Sequence, residues 1–66
     1  MLLDVDKLRE TMVSKGLTVK KLAKASGVSA CAIGLWLNRG AQPRMDTLGR
    51  ILKVLDVPTR EIVKEW

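Results

Sequence analysis

A chain of 66 residues has room for one domain, so we treat residues 1–66 as a single folding unit. The single cysteine excludes an intramolecular disulfide, and the lack of histidine argues against a cysteine–histidine zinc site. A hydrophobic content of 47% excludes intrinsic disorder, and 12 basic residues against 7 acidic ones give a net charge of +5, which favours a polyanionic partner.

Caps, apolar spacing and glycines predict two helices in the first part of the chain. Asp4 can cap a helix over about residues 5–15, and Gly16 is a natural stop after it. Thr18 can cap a short second helix, which ends at Gly27. The pattern therefore predicts two helices joined by a short loop, with no strand.

The remainder of the chain predicts three more helices. Ser29 is the expected cap of a third helix, over about 29–37, and a fourth follows over about 45–55. Pro58 closes the next turn, and residues 59–66 are expected to form a short fifth helix. The sequence thus predicts an all-α fold of five helices.

Because every connection is short, the helices must share one core. The chain ends, residues 1–3 and 66, are expected to fray. The positions expected to be buried are Leu8, Met12, Leu22, Ala23, Val28, Ile33, Trp36, Leu48, Leu52 and Leu55.

The segment from Thr18 to Asn38 has the spacing of a helix-turn-helix. Such a motif needs a small residue where its helices cross and a residue that accepts a positive φ in the turn; Ala23 and Gly27 meet these needs. Val28 can fill the corner, and apolar side chains on the second helix can anchor it to the core. The capped helix N-termini leave N–H groups that can meet phosphate.

This framework resembles the Cro/Xre-type helix-turn-helix family, which includes the lambdoid phage repressors. The resemblance covers nearly the whole chain and is carried by LTVKKLAKASGVSACAIGLWLNRG (17–40) and PRMDTLGRILKVLDV (43–57). It implies a compact five-helix, lambda-repressor-like DNA-binding domain. In that family helices 2 and 3 form the motif, the helix at about 29–37 enters the major groove, and helix 2 lies across the backbone.

The charge distribution agrees with a nucleic-acid partner. No acidic residue occurs between Glu10 and Asp46, and the stretch 11–45 has a net charge of +6, whereas the rest of the chain is close to neutral. One basic face that meets a polyanion is the favoured interpretation, and an ordinary solubilising surface is the alternative.

The chain also departs from the family. Val19 stands where members often have a glutamine that braces a phosphate contact, and lysines replace acidic residues on helix 2. The groove-facing positions of helix 3 are Ala30, Cys31, Gly34 and Leu35, none of which can make bidentate hydrogen bonds to a base. Ala30 and Leu35 can only contact thymine methyl groups, so poor base discrimination is expected.

Several of these residues have two interpretations. The resemblance to lambdoid repressors implies that Arg44, just after Pro43, can reach the minor groove, and the alternative is a surface charge. Asn38 can meet phosphate or cap helix 3. Cys31 is a small filler or a redox sensor. The candidate DNA-binding residues are Thr18, Lys20, Lys21, Lys24, Ser29, Ala30, Cys31, Leu35, Asn38, Arg39 and Arg44.

Two functions remain open at this point. The first is a regulator of phage or mobile-element type that binds operator DNA as a dimer. The second is a protein-binding modulator, such as an antirepressor or antitoxin, that docks on a partner repressor through the apolar helix 3. The partner-binding candidates, for a homodimer through helix 5, are Ile62, Val63 and Trp66.

Other functional classes, such as enzymes and membrane proteins, are not favoured by the sequence. The chain has no histidine, tyrosine, paired carboxylates or phosphate loop, so we expect no enzyme, cofactor or metal. No apolar run approaches the ~20 residues of a membrane span, and no signal-peptide pattern precedes the first helix. We therefore expect a cytoplasmic protein.

Overall fold

The computed structural model describes the backbone of residues 2–65 and the side chains of residues 2–64. Three of its helices begin at a side-chain cap. Asp4 accepts from the Lys7 N–H at 3.2 Å, and the Thr18 hydroxyl accepts from the Lys21 N–H at 3.1 Å. The third cap is the Ser29 hydroxyl, which accepts from the Ala32 N–H. These caps satisfy N–H groups that have no partner inside the helix, and they fix where each helix starts.

The four α-helices come close to the expected bounds. They are α1 (Val5–Ser14), α2 (Val19–Ser26), α3 (Ala30–Arg39) and α4 (Met45–Leu55). α3 runs two residues beyond its predicted end because Gly40, at φ +72°, is the position that stops it. α2 packs against both α3 and α4, and α1 packs against α3.

The fifth helix was predicted wrongly. Residues Thr59–Glu61 form only a 3₁₀ turn, and Ile62 leaves it at φ −123°, after which Val63–Glu65 is a strand, β2. β2 pairs antiparallel with a strand β1 (Leu2–Leu3) at the other end of the chain. The main-chain N–H of Asp4 also donates to the Ile62 carbonyl at 2.8 Å. The N-terminus is therefore paired within residues 2–3, where fraying was expected.

The strand pair changes the role of the C-terminal apolar residues. Ile62 is 0% exposed and Val63 is 6% exposed, so both belong to the core and are not available as an interface. Their expected role in a homodimer through helix 5 is therefore wrong, since that helix does not form. Trp66, the third residue of that set, lies outside the described residues.

Most of the expected core is confirmed. The buried hydrophobic side chains are Leu3, Leu8, Met12, Leu22, Val28, Ile33, Trp36, Leu48, Ile51, Leu55, Ile62 and Val63. Ala23 and Leu52, also expected there, are only half-buried and pack against this core. Leu3 and the C-terminal pair complete the core because the two strands close over it.

Candidate nucleic-acid interface

The connection between α2 and α3 is a tight, internally bonded turn. Gly27 takes φ +76°, a left-handed conformation that a side chain disfavours, and Val28 is buried beneath the corner. The Ser26 hydroxyl donates to the Leu22 carbonyl at 2.7 Å and accepts from the Val28 N–H at 3.3 Å. This turn holds the two helices in a fixed relation, as the sequence predicted for a helix-turn-helix.

Both helices present capped N-termini. The Ser29 hydroxyl accepts from the Ala32 N–H at 3.1 Å, as the Thr18 hydroxyl does for α2. Thr18 and Ser29 are both exposed. A cap bonds only some of the N–H groups in the first turn of a helix. The unbonded N–H groups and the positive end of the helix dipole can together bind a phosphate.

Three exposed lysines lie on α2, whose buried residue is Leu22. They are Lys20, Lys21 and Lys24. Within the part of the chain that the structure describes, no carboxylate lies within 4.0 Å of their ammonium groups. Like charges at this spacing repel each other slightly, so a bound anion would stabilise this face of α2.

The outward face of α3 is apolar. Ala30, Cys31 and Leu35 are exposed, the last at 45%, and Gly34 is half-buried. A Cβ placed on Gly34 would meet no heavy atom within 4 Å among the described residues, and the same holds for Gly49 in α4. The two glycines are thus not required by packing in this part of the chain.

An arginine that the sequence analysis missed braces the end of α3. Arg9, on α1, donates from Nη2 to the Leu37 carbonyl at 2.8 Å and to Asn38 Oδ1 at 3.3 Å. Asn38 is exposed, and its side-chain oxygen accepts a hydrogen bond within the protein. No local pattern could have indicated this, because Arg9 lies 28 residues before Leu37.

The loop before α4 carries two further candidates. Arg44 precedes α4 without making a side-chain cap, and its Nε lies 3.9 Å from Asp46 Oδ1. Both side chains are largely exposed, at 87% and 72%, so this ion pair is weak and leaves the guanidinium accessible. Arg39, in the last turn of α3, is also exposed.

Gln42 fixes this loop to the strand pair, a second contact that sequence reasoning missed. Its Oε1 accepts from the Leu3 N–H at 2.8 Å, and its Nε2 donates to the Gly40 carbonyl at 3.3 Å. Pro43 beside it is buried. The path of the loop that carries Arg44 is therefore set by contacts of Gln42 with Gly40, the C-cap of α3, and with β1.

Among the described residues, no cluster of three histidine, cysteine or carboxylate side chains is arranged to hold a metal ion. Over those same residues, no helix has the length and apolar character of a membrane span.

The sequence model of the helix-turn-helix family matches residues 7–62, which is most of the chain. The chain belongs to the Cro/Xre-type helix-turn-helix family. It is accordingly a DNA-binding helix-turn-helix regulator, and the family is one of regulators rather than enzymes. No curated protein and no solved structure matches the chain.

The matched range includes α2 and α3, and the tight turn at Gly27 that joins them has the geometry of the helix-turn-helix. In such a motif the second helix enters the major groove and the first crosses the backbone. Of the predicted DNA-binding residues, all eleven are exposed in the structure and lie between residues 18 and 44. Their contacts with DNA stay predictions.

Proposed function

We propose that this helix-turn-helix protein is a sequence- or shape-selective transcriptional regulator of the phage or mobile-element repressor type. In this proposal α3 lies in the major groove and α2 lies across the phosphate backbone. The lysine cluster of α2 supports it most strongly. Lys20, Lys21 and Lys24 share an exposed face and, among the described residues, have no carboxylate within 4.0 Å. Duplex DNA supplies the missing anions as a row of phosphates.

Other groups add to the same contact. The capped N-termini at Thr18 and Ser29 can each bind a phosphate oxygen, and Arg39 is exposed at the end of α3. Arg44 is free enough to enter the minor groove, where a narrow A-tract concentrates negative potential. Phosphate contacts then supply most of the affinity, and groove shape contributes to selectivity.

The test is a salt titration of binding to duplex DNA, followed by fluorescence anisotropy. The logarithm of the association constant should fall with the logarithm of salt concentration, with a slope of about −0.9 for each phosphate neutralised. The variant Lys20→Glu, Lys21→Glu, Lys24→Glu should bind all duplex sequences much more weakly. Its slope should also be shallower, by about 0.9 for each phosphate that the variant no longer neutralises.

A matched control separates a local contact from a change of net charge. The variant Lys53→Glu, Arg60→Glu, Lys64→Glu removes the same charge from exposed positions that the proposal does not use. Circular dichroism should show both variants folded. The proposal predicts that the control retains much more affinity than the α2 variant. Equal affinities for the two variants would show that α2 does not face the phosphates.

A second function is favoured by one observation. The exposed face of α3 has no side-chain nitrogen or oxygen at Ala30, Cys31, Gly34 or Leu35, which suits docking on another protein. In that case the chain is a modulator, such as an antirepressor, a repression modulator or an antitoxin, whose partner is a repressor.

The two functions predict different results for the same variants in a promoter-reporter assay in the native host. If the chain regulates by binding DNA, the α2 lysine-to-glutamate variant loses its effect on the promoter. If it acts as a modulator through helix 3, that variant keeps its effect, whereas Leu35→Asp abolishes it while leaving the domain folded. A reporter that responds to the Leu35→Asp protein as to the wild type would rule out the modulator.

A further inference from the structure

The exposed face of α3 can recognise only one kind of feature in the major groove. Base pairs present hydrogen-bond donors and acceptors there, and thymine adds an apolar C5-methyl group. Ala30, Cys31 and Leu35 are exposed, and Gly34 between them adds no side chain. Apart from the weak thiol of Cys31, these residues have nothing to donate or accept, so the methyl group is their natural contact.

The polar residues at the two ends of this face are engaged within the protein. The Ser29 oxygen accepts from the Ala32 N–H at 3.1 Å. At the other end, Asn38 Oδ1 accepts from Arg9 Nη2 at 3.3 Å. An asparagine that reads adenine uses its oxygen and its nitrogen together, and in Asn38 this oxygen already accepts a hydrogen bond from Arg9.

Charge identifies the occupant of this apolar face. α3 packs against α2, whose exposed lysines have no carboxylate within 4.0 Å among the described residues. A partner that brings regularly spaced anions together with small apolar groups fits such a surface. Duplex DNA with methyl-bearing pyrimidines has both features.

We infer that α3 selects duplex DNA by the C5-methyl groups of its pyrimidines, namely thymine and 5-methylcytosine. Leu35 is the main contact, since it is the largest exposed side chain on this face, and Ala30 adds to it. The inference rests on the proposed function, because it requires α3 to lie in the major groove. It adds a ligand class, which is DNA rich in pyrimidines with a C5-methyl group. The methyl group is that of thymine, or one that a methyltransferase has added to cytosine.

The experiment compares duplexes that differ only in these methyl groups. The probe is a pool of random 30-base-pair duplexes built from A·T pairs, prepared once with thymine and once with uracil. Uracil pairs with adenine as thymine does but lacks the methyl group. Wild-type protein should bind the uracil pool about fourfold more weakly for each methyl contacted, the factor expected for burying one such group. A CpG-containing duplex should bind more tightly once its cytosines carry 5-methyl groups.

Two variants assign the effect to α3. Leu35→Ala should lower the ratio of thymine to uracil affinity toward one, leaving only the smaller contribution of Ala30. Val13→Ala, which shortens an exposed apolar side chain on α1, should leave the ratio at its wild-type value. Replacing adenine with 7-deazaadenine, which lacks the N7 acceptor, should not change binding, because these α3 residues have no strong donor for it.

Equal binding of wild-type protein to the thymine and uracil pools would overturn the inference while leaving charge-driven DNA binding intact. A loss of affinity with 7-deazaadenine would overturn it too, since it would show reading by hydrogen bonds. Failure of both pools to bind at low salt would instead overturn the proposed function together with the inference.

Discussion

The Arg9 guanidinium donates to the main-chain carbonyl of Leu37 at 2.8 Å and so ties α1 to the last turn of α3. Carbonyl groups at a helix C-terminus have no partner inside the helix, and a cation there also interacts favourably with the helix dipole. The orientation of the proposed recognition helix thus depends on a residue that lies outside the helix-turn-helix.

We predict that Arg9→Ala lowers the free energy of unfolding by about 0.5–1.5 kcal/mol, the usual net contribution of such a bond. It should also weaken DNA binding, because α3 loses a constraint and Asn38 loses its partner. Urea unfolding and anisotropy measure the two effects. Arg50→Ala, at an exposed position on α4, removes the same charge and should change stability by less than about 0.5 kcal/mol. Equal destabilisation by the two substitutions would contradict this role for Arg9.

Gln42 provides a test of the contact between the loop and β1. Its Oε1 accepts the part-buried Leu3 N–H, so Gln42→Ala should cost about 1–3 kcal/mol for an unsatisfied donor. Gln42→Glu keeps an oxygen at the same place and should cost less. Native-state hydrogen exchange should show faster exchange of the Leu3 amide in the alanine variant. An unchanged rate would mean that another group protects this amide.

The glycines inside α3 and α4 form a matched pair. A Cβ at Gly34 or at Gly49 meets nothing within 4 Å among the described residues, and neither has a positive φ. Alanine at either position should therefore stabilise the domain by about 0.5–1 kcal/mol through helix propensity. In a domain of this size, each kcal/mol raises the Tm by about 4–8 °C.

Their effects on DNA binding should differ. Gly34 lies among the exposed α3 residues, where an added methyl group holds the helix away from the bases, so Gly34→Ala should weaken binding. Gly49→Ala should leave binding unchanged. Anisotropy with the same duplex checks both variants. Stabilisation without any loss of affinity in Gly34→Ala would show that the α3 backbone does not approach the DNA closely.

The four helices could be predicted from the sequence because their signals are local. Each signal can be recognised from a few neighbouring residues: the caps Asp4, Thr18 and Ser29, and the helix end at Gly27. The structure places each where it was expected. The same local signals identified the helix-turn-helix and the exposed lysines of α2.

The C-terminal strand could not be predicted in this way. The C-terminal segment has too few apolar residues, Ile62 and Val63, for their spacing to distinguish a helix from a strand. The strand forms because this segment pairs with Leu2–Leu3 at the far end of the chain. The contacts of Arg9 and Gln42 were missed for the same reason, since each joins residues that are distant in sequence.

The most direct test of DNA binding through α2 and α3 is a titration of ¹⁵N-labelled protein with duplex DNA, followed by ¹H–¹⁵N correlation spectra. We expect the largest shift changes at the α2 and α3 N-termini, at the amides of Lys20, Lys21, Ala30 and Cys31, and little change at Lys64 in β2. Changes concentrated in β2 and the 3₁₀ turn, with α2 and α3 unaffected, would contradict the claim that this helix-turn-helix is the surface that binds DNA.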